Sequence, residues 1–84
     1  MAENAGLYQK YDVKRRNGQD MPNAAYFTID VVNDPNALAA LAGYRIACES
    51  TAPVLHQALL ELEKELRSGI KDGPMVQALR TPRQ

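Results

Sequence analysis

Acid–base, nucleophilic or metal chemistry in this chain of 84 residues would have to come from one histidine, one cysteine and ten carboxylates. His56 has no second His or Cys, and no carboxylate, at ligand spacing, so it reads as a surface or boundary histidine. Cys48 falls on the apolar stripe of a predicted helix with no base beside it, and reads as a small packed hydrophobe. Glu61, Glu63 and Glu65 lie on a helix expected to be solvated, without a pocket to raise a carboxyl pKa. No glycine-rich phosphate loop is present. The residues therefore predict a non-enzyme with no catalytic group, no cofactor and no metal.

What remains is binding. Lys14-Arg15-Arg16 lies close to Lys10, Tyr8 and Tyr11, and such a basic, tyrosine-bearing stretch can hold phosphate and stack a base. The competing reading is a charged strand edge that discourages aggregation. The formal net charge is zero, and Asp12 and Asp20 sit nearby, so the chain has no global electrostatic case for nucleic acid or an anionic membrane. Tyr26 is either core or the flank of a partner groove, and Tyr44 is expected in the core. The candidate partner-binding set is Lys10, Tyr11, Lys14, Arg15, Arg16 and Tyr26.

The elements that would position these residues follow from periodicity. From Leu7 the pattern alternates, with Tyr11, Val13 and Arg15 on one face, which predicts a first strand. Arg16 to Asn23 carries turn residues; Asn17-Gly18 suits a tight hairpin, but Pro22 would interrupt the returning strand, so a longer loop is expected. Ala25 to Val32 alternates Phe27, Ile29 and Val31 against Tyr26, Thr28 and Asp30, a second strand. Asp34-Pro35 is an N-cap followed by a first-turn proline, and Ala37, Leu41, Tyr44 and Cys48 share one helical face. Thr51 or Ser50 is the expected cap of a second helix. In that helix Leu55, Leu59, Leu62 and Leu66 form the apolar stripe, while Glu63 and Arg67 support the outer face. Gly69 is a natural stop.

The predicted fold class is α+β: an N-terminal antiparallel two-stranded β-hairpin packed on two α-helices (ββαα). One small domain spans 1–84, with a loose start at 1–6, the hairpin at 7–32, helices at 34–50 and 51–69, and a tail at 70–84. A lone two-stranded ribbon is marginal in water and exposes both edges. Self-association as a homo-oligomer, most simply a dimer, is therefore expected. A single cysteine points to a reducing compartment, and neither a signal-peptide pattern nor an apolar run of spanning length appears, so the expected location is the cytoplasm.

Lys10-Tyr11-Asp12-Val13, then Tyr26-Phe27-Thr28-Ile29-Asp30, then Asp34-Pro35-Asn36-Ala37 with Ala40-Leu41 and Tyr44, resembles a group of small phage and prophage proteins. Their pattern runs Lys-Tyr-x-Val, Tyr-Phe-Val-Leu, Asp-Pro-His-Ala and Ala-Leu-x-x-Tyr. The match covers about residues 10 to 60, and departs from it at Asn36, where histidine is frequent, and at Thr28, where an aliphatic is usual. The resemblance implies a mobile-element accessory protein, acting in the host cytoplasm by binding a host or phage protein, with counter-defence as an example. It hands over no functional residue. The alternative from the residues is a nucleic-acid or small-nucleotide binder using the basic hairpin.

Overall fold

Two prolines and one left-handed glycine set the boundaries of the helical part of this chain. The computed structural model describes residue 7 and residues 10–82. The expected loose start at 1–6, Tyr8 and the last two residues of the tail lie outside the described residues. The element order is α1 (Ala37–Thr51), α2 (Pro53–Arg67) and α3 (Pro74–Arg80). No helix among the described residues is long and apolar enough to cross a membrane.

The start of α1 is built in two capped turns. Asp30 accepts from the backbone N–H groups of Val32 (3.0 Å) and Asn33 (3.2 Å), closing a helical turn ahead of the helix. Asp34 then accepts from Asn36 N–H at 2.8 Å, so its carboxylate satisfies one of the free donors of the first turn. The expected N-cap at Asp34 with Pro35 in the first turn is corrected: regular helix begins at Ala37, and Asn36 is the flanking residue with no side-chain cap of its own.

Between α1 and α2 stands one residue. Ala52 precedes Pro53, and the proline ring disfavours the α region for the residue before it. Ala52 accordingly sits at φ −149°, ψ 72°, and the chain turns a corner there. The expected cap at Ser50 or Thr51 is corrected: α1 runs through both residues, and Ala52 precedes α2 without a side-chain cap. The other end of α2 closes as a Schellman motif. Gly69 N–H donates to the Leu66 carbonyl (3.1 Å) and Ile70 N–H to the Glu65 carbonyl (2.9 Å). Gly69 has φ +78°, a conformation in which any Cβ is strained.

The predicted β-hairpin is overturned: no strand occurs among the described residues, and the described fold is all-helical rather than α+β. The tight turn is present, with Gly18 N–H donating to the Arg15 carbonyl at 3.1 Å. No strand returns from it, because a second turn follows at once: Ala24 N–H donates to Met21 (3.2 Å) and Asn23 takes φ +61°. Pro22, without an N–H, sits inside that second turn. The end of the supposed second strand is consumed by the Asp30-capped turn. Residues 25–29 make no backbone hydrogen bond with any described residue.

The core is thin. Ala37, Cys48, Leu62 and Val76 are its buried apolar side chains among the described residues. The radius of gyration is 14.5 Å, where a compact domain of this length has about 12 Å.

The helix faces also differ from the expected ones. Tyr44, expected in the core, is 60% exposed, and Arg45 takes the inward position instead. Glu63, expected on the outer face, is wholly buried. It receives Arg45 Nε in a charge-assisted hydrogen bond, and Arg67 Nη2 lies 3.6 Å from its other oxygen.

Glu65 is the second working carboxylate of α2. It accepts from the backbone N–H groups of Met75 (2.8 Å) and Val76 (3.2 Å), the free donors at the start of α3. Gly73, also buried, leaves the space that this carboxylate occupies, since a Cβ there would collide with Glu65 Oε1. Gly73→Ala is therefore expected to displace the cap and release α3, at about 1 to 2 kcal/mol of stability. Chemical denaturation measures the loss, and an unchanged midpoint would show that Glu65 finds an equivalent position.

Candidate functional site

The segment before α1 carries all six candidate binding residues, and its geometry is set by one side chain that the sequence reading did not single out. Asp20 accepts from the Arg15 backbone N–H at 2.8 Å and from the Tyr26 hydroxyl, so residues 15–26 close into a loop on its carboxylate. Gln19 N–H donates to Asn17 Oδ1 (2.9 Å) and rigidifies the turn inside that loop. An Asp between a tight turn and a proline is the available sequence signal for such a hub, and it is a weak one.

These hydrogen bonds favour the charged carboxylate. The Tyr26 hydroxyl, then the Arg15 backbone N–H, hold the Asp20 carboxyl below its ordinary range, against a small opposing effect of desolvation. The same bond pushes the Tyr26 hydroxyl above its ordinary range. The folded-state value of Asp20 is depressed, so closure of the loop is at full strength above the ordinary aspartate range. It is lost as pH falls through the lowered value, that is, below about pH 4. The Arg15 amide resonance is expected to titrate in that acid window and to stop doing so in Asp20→Asn. Titration of Arg15 unchanged by the substitution would contradict the loop closure.

An open cleft of about 1110 Å³ lies along this segment, lined by Tyr11, Met21, Tyr26, Phe27, Asp30 and Asp34 among others. Lys10 also lines it. The structure thus brings Lys10, Tyr11 and Tyr26 together. Lys14, Arg15 and Arg16 lie on the neighbouring exposed turn, outside the cleft lining. None of those three forms an ion pair with a described carboxylate. Phe27 is 81% exposed, an unusual state for a phenyl ring in a chain with one phenylalanine.

The reactive residues of the helices are occupied structurally. Cys48, on α1, is buried. His56 Nδ1 lies 2.9 Å from the Arg45 carbonyl, which fixes the Nδ1–H tautomer as donor and ties α2 to α1 next to the ion pair. Among the described residues no group of three His, Cys, Asp or Glu side chains is placed to hold a metal ion. Glu63 and Glu65 were expected to be solvated; one is buried in an ion pair and the other caps a helix, so neither faces the cleft.

Fold and site together define a class by architecture: a proline-cornered helical hairpin with a short third helix and a long irregular arm. Comparison with protein-family models, curated proteins and solved structures finds no match.

Proposed function

We propose that this chain is a non-catalytic binding module, a small accessory protein of phage or prophage origin that acts in the host cytoplasm by occupying a surface of a host or phage protein. The arm before α1 is the contact element, with Lys10, Tyr11 and Tyr26 in its cleft and Lys14, Arg15 and Arg16 on its turn. One observation carries the reading. The arm displays Tyr11, Met21, Tyr26 and Phe27 to solvent, each about half exposed or more, while the helices retain only four buried apolar side chains. Exposed apolar surface rimmed by charge marks a contact site more often than a free surface. The setting in a mobile element rests on the resemblance of residues 10 to 60.

The test is affinity capture from a lysogenic host, run side by side with wild type and with Tyr11→Ala/Phe27→Ala. Both positions are exposed, so the variant keeps the helical core. A protein retained by wild type and lost with the variant supports the reading; identical recoveries contradict it. A second reading, phosphate binding at Lys14, Arg15 and Arg16, is favoured by three adjacent, exposed cations at one turn. Its mark is oligonucleotide or nucleotide affinity that falls steeply with salt and disappears in Arg15→Ala/Arg16→Ala.

A further inference from the structure

Residues 25–29 combine two properties rarely left together: strand-type alternation and backbone groups that meet no partner. Among the described residues none of their N–H or C=O groups takes part in a backbone hydrogen bond. Tyr26 and Phe27 are both exposed. An uncharged run with strand-type alternation and unpaired backbone groups is a template for one more strand.

The sequence of the stretch specifies which strand fits. Placed antiparallel to a second copy with Thr28 opposite Thr28, every cross-strand pair is a favourable one. Phe27 faces Ile29 of the second copy, Ala25 faces Val31, and Tyr26 faces Asp30, each pair occurring twice by symmetry. Aromatic–aliphatic and threonine–threonine pairs are among the stabilising cross-strand combinations. Asp30 is the single charge between Ala24 and Val32; in this register it stands across from Tyr26 and not from its own copy, so no like charges meet. The odd-numbered face is apolar throughout and the even-numbered face polar, so the pairing also preserves the pleat. Tyr11 and Met21, both exposed beside the stretch, extend the apolar area that two copies would bring together and support a ribbon too short to persist alone.

We infer that the chain forms an isologous dimer by antiparallel pairing of residues 25–31 from two copies about Thr28, the second copy supplying the strand that each arm lacks. Val31 leaves the Asp30-capped turn to join the ribbon. The inference goes beyond the proposed function: dimerisation sets two basic turns on one assembly, whichever partner they contact.

Disulfide trapping tests the register. At the two-fold position of an antiparallel pair the Cα atoms lie about 4.5 to 5.5 Å apart, within disulfide reach. Thr28→Cys is expected to form a covalent dimer on mild oxidation at least about tenfold faster than Tyr26→Cys, because a paired cysteine sees an effective concentration far above bulk. Buried Cys48 stays silent in both. A mixture of Tyr26→Cys with Asp30→Cys links the two variants to each other in preference to like with like. Thr28→Pro, at an exposed residue outside every helix, keeps the helical circular dichroism and sediments as a monomer where wild type sediments as a dimer. Wild type sedimenting as a monomer at all micromolar concentrations, or equal trapping at residues 26 and 28, overturns the inference. In either case the free edge belongs to a different partner.

Discussion

Arg45→Ala is expected to destabilise the helical hairpin by about 3 to 5 kcal/mol, because it removes the only hydrogen-bonded cation of the buried Glu63 among the described residues and leaves the mostly exposed Arg67 at 3.6 Å. Glu63 has no exposed surface, and its Oε1 has no hydrogen-bond partner, with Arg67 at 3.6 Å. Arg67 is mostly exposed and joins the carboxylate from its own helix, so it cannot replace the hydrogen bond that Arg45 supplies across the pair. The loss is large for a small domain whose total stability is of the order of 5 kcal/mol. The paired substitution Arg45→Met/Glu63→Leu removes both charges and keeps the volume. It is expected to recover most of the loss, since replacing a buried pair with apolar residues is often neutral or stabilising. Urea denaturation of the three proteins decides it. A single variant as stable as wild type would mean that water reaches Glu63.

Leu62→Ala is expected to cost about 2 to 5 kcal/mol, while Leu55→Ala costs less than about 1 kcal/mol. Both leucines belong to one predicted stripe, but Leu62 is 3% exposed and Leu55 41%. With so few buried side chains, the cavity left at residue 62 has little neighbouring structure able to collapse into it. Equal losses at the two positions would place the helices in a different rotation about their axes.

The helical part was the more legible half of this sequence, because its boundaries are written in residues with strong local preferences. Pro53 forces the corner, Gly69 takes the left-handed position, and Asp34 serves the first turn of α1. The faces were harder. Ala37 and Cys48 are buried and Leu41 half-buried, but Arg45 adjoins position 44 of that stripe, and hydrophobicity alone favours tyrosine for the inward place. Arg45 turns inward because Glu63 waits on the other helix, a fact that no single-helix pattern contains. Glu63 and Glu65 could be assigned to solvent only while their partners, Arg45 and the α3 N–H groups, were unseen.

The strands failed for a different reason. Alternation in Ala25–Val32 reports that a stretch suits a pleated surface; it does not report that a neighbouring strand exists. Here Asp20 closes the preceding loop on Tyr26, and Asp30 winds the following residues into a turn, so the pattern survives without the sheet. The binding residues themselves were visible as composition. Their division into a cleft group and a turn group was not, because it depends on where Asp20 gathers the chain.

A helical hairpin carries an arm in which residues 25–29 find no backbone hydrogen-bond partner among the described residues. Amide hydrogen exchange, followed in dilute and in concentrated solution, tests it most directly. The amides of residues 41–51 and 57–67 are predicted to be protected at both concentrations, and those of residues 25–29 to exchange freely in the dilute sample. Concentration-independent protection of residues 11–15 and 25–32 together would reveal an internal hairpin and contradict the account.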